Sequence, residues 1–203
     1  EDETISIVPE EFESIDYENL SALSKEYEEQ LLISDLLFCL VGAVGVYFKP
    51  NKSGKLRLTC RLRDQLNKSF IDSILPLCDD VAVIKNYADK HFSLENGRVV
   101  HALCACLKTI LSFYTQSIAK IESYRPLTFP MLVSQLKPYF ETMKMISELV
   151  QKLGYKKGCK VLSVIHSFIQ PNIKNEQTRK NLQFIFQSSS HPLLTFIERF
   201  LYT

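Results

Sequence analysis

Apolar residues fall into helical registers along most of this chain, and short clusters of glycine, proline and small polar residues separate one register from the next. After Ser24, the residues Tyr27, Leu31, Leu32, Leu36, Leu37 and Leu40 recur at three- and four-residue spacing, the period that aligns side chains on one face of an α-helix. Ser24 suits the N-cap, where a hydroxyl accepts a hydrogen bond from an orphan amide, and Gly42 supplies a stop. Between Leu31 and Val41 only Ser34 and Asp35 are polar. A helix so apolar around its circumference is expected to be enclosed by other elements or by a neighbouring chain.

Beyond Gly42 and Gly45 the period changes. Val46, Tyr47 and Phe48, then Leu56, Arg57 and Leu58, flank a turn of Asn51, Lys52, Ser53 and Gly54, which predicts a short hairpin and is the only strand-like region. Leu62, Leu66, Phe70 and Ile74 predict a second helix ending near Pro76. Asp79 or Asp80 then caps a third reaching about His91. The strongest stripe runs from about Glu95 to Tyr124 through Val99, Leu103, Cys106, Ile110, Phe113, Ile118 and Ile121, and predicts a long central helix.

Thr128 and Pro130 open a short helix, and Pro138 starts another through Met143, Ile146, Val150 and Leu153. Gly154 and Gly158 separate that from a helix over Val161 to Ile169, which Pro171 ends. A helix from Glu176 to Phe186 follows, and a last one is entered through His191 and Pro192. No fixed-period repeat is apparent, so a solenoid is not expected. The expected fold is all-α: an irregular multi-helix bundle of about eight helices with one short β-hairpin.

Composition agrees with a packed chain, since 46% of the 203 residues are hydrophobic and 23% charged. The net charge of +1 conceals an asymmetry. Residues 1–30 hold eleven acids and one lysine, whereas residues 31–203 hold twenty-three bases and twelve acids. The expected organisation is therefore an acidic segment over residues 1–26, extended or disordered or else lying against a basic surface of this chain or a partner, and a helical domain over residues 27–203. The chain begins with Glu1 and stops at Thr203 while still reading as helix, so it is expected to be a fragment of something longer. Its longest apolar runs look too short to span a membrane.

Candidate chemistry is sparse. Gly42-Ala43-Val44-Gly45 lacks the following lysine and hydroxyl of a nucleotide-binding loop, and Gly54-Lys55 is followed by Leu56 where a magnesium-binding hydroxyl would be needed. Cys39, Cys60, Cys78, Cys104, Cys106 and Cys159 show no CxxC spacing, which suits free thiols in a reducing compartment. Cys104 and Cys106, two apart on a helix, point to divergent faces and cannot share a metal. His91, His101, His166 and His191 have no HExxH-like arrangement. No catalytic, cofactor-binding or metal site is expected, and no enzyme. Bases cluster from Lys49 to Arg63 and at Lys156, Lys157 and Lys160, without a groove-reading motif, so solvated faces or protein contacts are expected rather than nucleic acid.

Three stretches, in order, resemble the gamma-tubulin complex component family in its amino-terminal Grip region, and within the family its second component most. Leu31 to Phe48, LLISDLLFCLVGAVGVYF, is similar to the family's acidic residue, leucine-rich helix end and two spaced glycines before an aromatic. It supplies Asp35, Leu36, Leu37, Gly42, Gly45 and Tyr47. Phe92 to Leu111, FSLENGRVVHALCACLKTIL, is similar in its glycine and His-Ala-Leu helix, giving Gly97, His101, Ala102 and Leu103. Ser188 to Tyr202, SSSHPLLTFIERFLY, is similar to a Ser-His-Pro helix entry with a terminal aromatic pair, giving His191, Pro192 and Tyr202. Val46 stands where the family usually has a lysine or arginine, and Phe200 where tryptophan is common.

The resemblance implies a non-catalytic helical scaffold that packs laterally against other gamma-tubulin complex components, a component 3-like subunit among them. Gamma-tubulin would be held by a separate carboxy-terminal half. It places the parent protein in the cytoplasm and cytoskeleton, at a microtubule organising centre or spindle pole, without nucleic acid or membrane partners. The motif residues are expected to be structural. The alternative is a generic helical adaptor or tethering module unrelated to tubulin.

Overall fold

The computed structural model describes residues 24–202 other than 53, 61, 63, 125 and 170–175. The acidic segment as far as residue 23 and the stop at Pro171 lie outside the described residues. Six α-helices and one hairpin are described: α1 (Lys25–Leu40), β1 (Phe48–Pro50), β2 (Leu56–Leu58), α2 (Gln65–His91), α3 (Arg98–Ser123), α4 (Phe129–Leu153), α5 (Cys159–Ile169) and α6 (Glu176–Tyr202). A single 3-10 turn, Leu94–Asn96, leads into α3.

The four long helices close a ring, with α2 packed on α3 and α4, and α6 packed on the same two from the other side. Helix α5 lies against α6 and α4, while α1 and the hairpin cover α2. The hairpin is antiparallel, with Phe48 opposite Leu58 and Pro50 opposite Leu56. One continuous core runs through all of these elements, from Leu32 and Leu36 of α1 through Ile74, Leu103 and Ile146 to Ile185 of α6.

The nine helical stretches behind the expected count of about eight merge into six because three prolines lie inside helices rather than at their ends: Pro76 in α2, Pro138 in α4 and Pro192 in α6. A proline withholds one amide and crowds the carbonyl four residues back, normally enough to kink or break a helix. Pro76 and Pro138 are exposed, as are Asp72 and Ser134, whose carbonyls each proline leaves unbonded. Water can satisfy those carbonyls, while burial on the opposite face keeps each helix intact. His191 is consequently not at a helix entrance but exposed in the middle of α6.

Other expectations change in the same way. Asp79 and Asp80 lie within α2 and cap nothing, and the cap of that helix is Asp64, which accepts from the Leu66 amide at 2.9 Å. Helix α3 is long and apolar enough, by length and composition, to meet the criterion for a membrane span, contrary to the sequence reading. Its Val99, Val100, Leu103, Cys104 and Leu107 are instead buried against the neighbouring helices. Ser24 does cap α1, accepting from the Tyr27 amide at 3.4 Å.

Two long-range bonds tie α1 to the start of α4. Gln30 donates to the Leu127 carbonyl at 2.6 Å, and the Phe129 amide donates to the Glu29 carboxylate at 2.9 Å. Thr128, the residue at the α4 cap position, makes no side-chain cap of its own. A carboxylate from a helix about a hundred positions earlier does that work.

Candidate functional site

The first family-like stretch assembles into one compact structure around Asp35. This residue lies on the inner face of α1, 7% exposed, and its two carboxylate oxygens each accept a backbone amide: Val46 at 2.7 Å and Tyr47 at 2.8 Å. Charged acceptors make stronger hydrogen bonds than neutral ones. One side chain thereby fixes the loop that turns from α1 into the hairpin. Tyr47 is buried and its carbonyl accepts from both the amide and the hydroxyl of Thr59, at 2.9 and 2.8 Å, so the clamp extends across the hairpin.

The two glycines have different reasons. Gly42 has φ +74°, the left-handed conformation that ends α1. At Gly45 the constraint is space: a Cβ there would stand 2.5 Å from one Asp35 oxygen and 2.8 Å from the other. The glycine lets the carboxylate reach the amides that follow. Burial pushes the neighbouring Cys39 thiol up to about 11, with the Asp35 charge adding to the rise and a hydrogen bond with the Gly45 backbone opposing it. Leu36 and Leu37 are buried in the core.

A lysine on another helix completes the turn. Lys85 of α2 donates to the Val41 carbonyl at 3.4 Å and the Gly42 carbonyl at 3.2 Å. Helix α1 has no base in its last turn, so Lys85 supplies the cation that a helix C-terminus favours. Asp79, also on α2, accepts from the Leu56 amide at 2.9 Å and holds β2. Asp80 faces α4, where burial raises its carboxyl above the usual range and a Ser147 hydrogen bond opposes the rise.

The second stretch forms a separate local unit. Gly97, at φ +94°, joins the 3-10 turn to α3 and accepts from the His101 amide at 3.0 Å. The His101 ring packs on Phe92, centroids 4.6 Å apart, while Lys108 lies over the same Phe92 ring and pairs with Asp89 at 2.9 Å. Leu103 is fully buried and Ala102 partly so. Cys104 and Cys106 are both buried free thiols; burial raises the Cys106 thiol, and a hydrogen bond with Ser188 of α6 opposes the rise.

The third stretch meets the core only at its start, where Ser189 is fully buried and Leu193 packs against the core. Pro192 is half-buried and His191 exposed, and Tyr202 is 86% exposed. With Phe196, Phe200 and Leu201 it leaves the end of α6 apolar and uncovered by the described residues.

A second surface was not apparent from sequence. Between α3, α4 and α6 an open groove of about 370 Å³ is walled by Ile110, Phe113, Tyr114, Tyr139, Met143 and Phe184. Phe113 and Phe184 are exposed at its rim. At its base, Tyr114 is buried and its hydroxyl finds no partner among the described residues, while Thr142 and Thr178 share a buried hydrogen bond at 3.2 Å. Among the described residues no three histidine, cysteine or acidic side chains gather as a metal cluster would require.

A family profile described as "Gamma tubulin complex component N-terminal" matches residues 33–203. The chain is 23% identical over 184 residues to "Gamma-tubulin complex component 2" of Mus musculus, covering 86% of this chain and 20% of that relative. It is 24% identical over 185 residues to the protein of the same name from Arabidopsis thaliana, covering 86% of this chain and 27% of that one. The chain thus spans only a fifth to about a quarter of the length of these relatives.

Proposed function

The chain belongs to the gamma-tubulin complex component family, and from that premise we propose that it is the lateral-contact module of a scaffold subunit that templates microtubule nucleation. The observation that carries this reading is the match to the family's amino-terminal region over residues 33–203. In this reading the chain performs no chemistry. The Asp35 clamp, the Gly97 turn and the core shape a rigid block, and the block presents its exposed apolar surfaces to a neighbouring component, a component 3-like subunit being the expected one. Gamma-tubulin is engaged elsewhere in the parent protein, at a microtubule organising centre or spindle pole.

The groove rimmed by Phe113 and Phe184 suits such a contact, because an apolar channel between packed helices accepts side chains from a partner helix at little cost in reorganisation. The test is association of this chain with the amino-terminal region of a paired component, followed by sedimentation. The double variant Phe113→Glu, Phe184→Glu is expected to weaken it at least tenfold while leaving the helical content unchanged. Tight binding of gamma-tubulin by the 203 residues alone, with no affinity for a paired component, would overturn the assignment.

A further inference from the structure

The hairpin and the first half of α2 enclose an open cleft of about 550 Å³ lined by Arg57, Leu58, Cys60, Leu62, Lys68 and Asp72. Residues 49–68 contain seven bases and a single acid, Asp64, whose carboxylate is occupied at the α2 cap. Lys49, Lys52, Lys55, Arg57 and Lys68 are each partly or fully exposed, and none of them forms an ion pair among the described residues. The cleft floor is apolar, with Leu58 and Leu62 half-buried and Leu75 buried. It therefore presents a band of cations with no ion-pair partner among the described residues beside a greasy strip, with Asp72 the carboxylate among its lining residues.

Residues 1–23 have the complementary composition. They carry eight acids and no base, interspersed with Ile5, Ile7, Val8, Phe12, Ile15 and Tyr17. They join the fold at Ser24, the cap of α1. The cleft adjoins that helix, since α1 packs against β1 of the hairpin and against α2, the two elements that enclose it. Twenty-three residues can span roughly 75 Å when extended, so reach is no obstacle, and a short tether holds the segment at an effective concentration in the millimolar range. From this complementarity of charge, apolar content and attachment, we propose that the acidic segment 1–23 docks in cis on the basic cleft between the hairpin and α2.

The other basic cluster, Lys156, Lys157 and Lys160, supplies the internal control, because plain attraction between opposite charges would engage it equally. The experiment is carbodiimide coupling of the full chain, as an equal mixture of unlabelled and nitrogen-15 protein, with mapping of the carboxylate-to-lysine links. Docking predicts links from Glu10, Glu11, Glu13 and Asp16 to Lys49, Lys52, Lys55 and Lys68, within one isotopic chain and independent of protein concentration. These should exceed links to Lys156, Lys157 and Lys160 by at least fivefold.

Raising salt from about 0.01 M to about 1 M shortens the screening length from about 30 Å to about 3 Å, and should remove the preference. The variant Arg57→Glu, Lys68→Glu should reduce links to Lys49, Lys52 and Lys55 at least fivefold at low salt, with unchanged circular dichroism confirming that it is folded. Links spread evenly over both clusters, or a pattern indifferent to the variant, would overturn the proposal. So would links mainly between heavy and light chains, which would make the cleft a site for a second copy. None of these outcomes bears on lateral association, which is read separately by sedimentation.

Discussion

The Asp35 carboxylate lies where a side chain at residue 45 would have to go, and a double-mutant cycle reads that constraint directly. Removing the carboxylate in Asp35→Ala deletes two charge-assisted bonds, to Val46 at 2.7 Å and Tyr47 at 2.8 Å. Each such bond contributes about 1.5–3 kcal/mol. The Val46 amide lies in a part-buried bond that water can partly replace, so the lower figure applies, and the expected loss is about 3 kcal/mol. For a chain of this size that corresponds to a melting temperature lower by roughly 6–12 °C.

Gly45→Ala should cost about 1–3 kcal/mol in the parent, because its Cβ overpacks the carboxylate. Gly45 does not have a positive φ, so once Asp35 is truncated the alanine fits. It should then be neutral, or stabilising by a few tenths of a kcal/mol through reduced freedom of the unfolded chain. The sign of the alanine substitution thus depends on residue 35, with a coupling of about 1 kcal/mol or more. Urea unfolding of the four proteins, followed by far-ultraviolet circular dichroism, measures it. Additive effects, with coupling below about 0.5 kcal/mol, would refute the steric account of this glycine.

Three further outcomes are expected. Burial raises the Cys39 and Cys104 thiols from 9.0 to about 11, so the folded state holds their protons more tightly than the unfolded one. Their contribution is intact below pH 9 and is lost as pH rises toward 11; urea midpoints across that window should fall less steeply in a Cys39→Ala, Cys104→Ala variant. Lys85→Met removes the cation from the α1 C-terminus and should cost about 0.3–1 kcal/mol, an effect that shrinks in high salt; a loss unchanged by salt would point to packing instead. Tyr114→Phe deletes a buried hydroxyl with no described partner and should raise stability by about 1 kcal/mol, readable as a higher melting temperature, whereas destabilisation would reveal a partner for that hydroxyl.

Periodicity located α1, α3, α5 and the hairpin because Ser24 and Gly42 bound the first, an unbroken apolar stripe marks the second, Gly154 and Gly158 set off the third, and the Asn51 to Gly54 turn marks the hairpin. It divided α2, α4 and α6 at their prolines, since a sequence does not say whether the carbonyl four residues earlier faces water or core. The resemblance led to Asp35, Gly42, Gly45 and Tyr47, and these do come together. The partners that complete the turn and hold the hairpin, Lys85 and Asp79, were not legible. They sit on a helix exposed or half-exposed, in positions where charged residues are ordinary, and only tertiary packing brings them to α1 and β2. The apolar groove was hidden for the same reason, as its walls come from three helices far apart in sequence. Phe113 belongs to the apolar stripe of the central helix, yet it is exposed at the groove rim.

The two bonds from α1 to the loop before α4 bear on how the chain is made. Gln30 and Glu29 find their partners 97 and 100 residues later, so during synthesis the first helix waits for the amino terminus of the fourth. At about 5–20 residues per second that interval is roughly 5–20 s. Through it, the apolar flank of α1 has α2 and α3 to pack on but no anchor at its beginning. Nascent chains arrested before Leu127 leaves the ribosome should therefore be cleaved by protease near α1, and chains arrested after α4 has emerged should resist. Equal resistance at both lengths would show that the first helix is secured without its distant acceptor and donor.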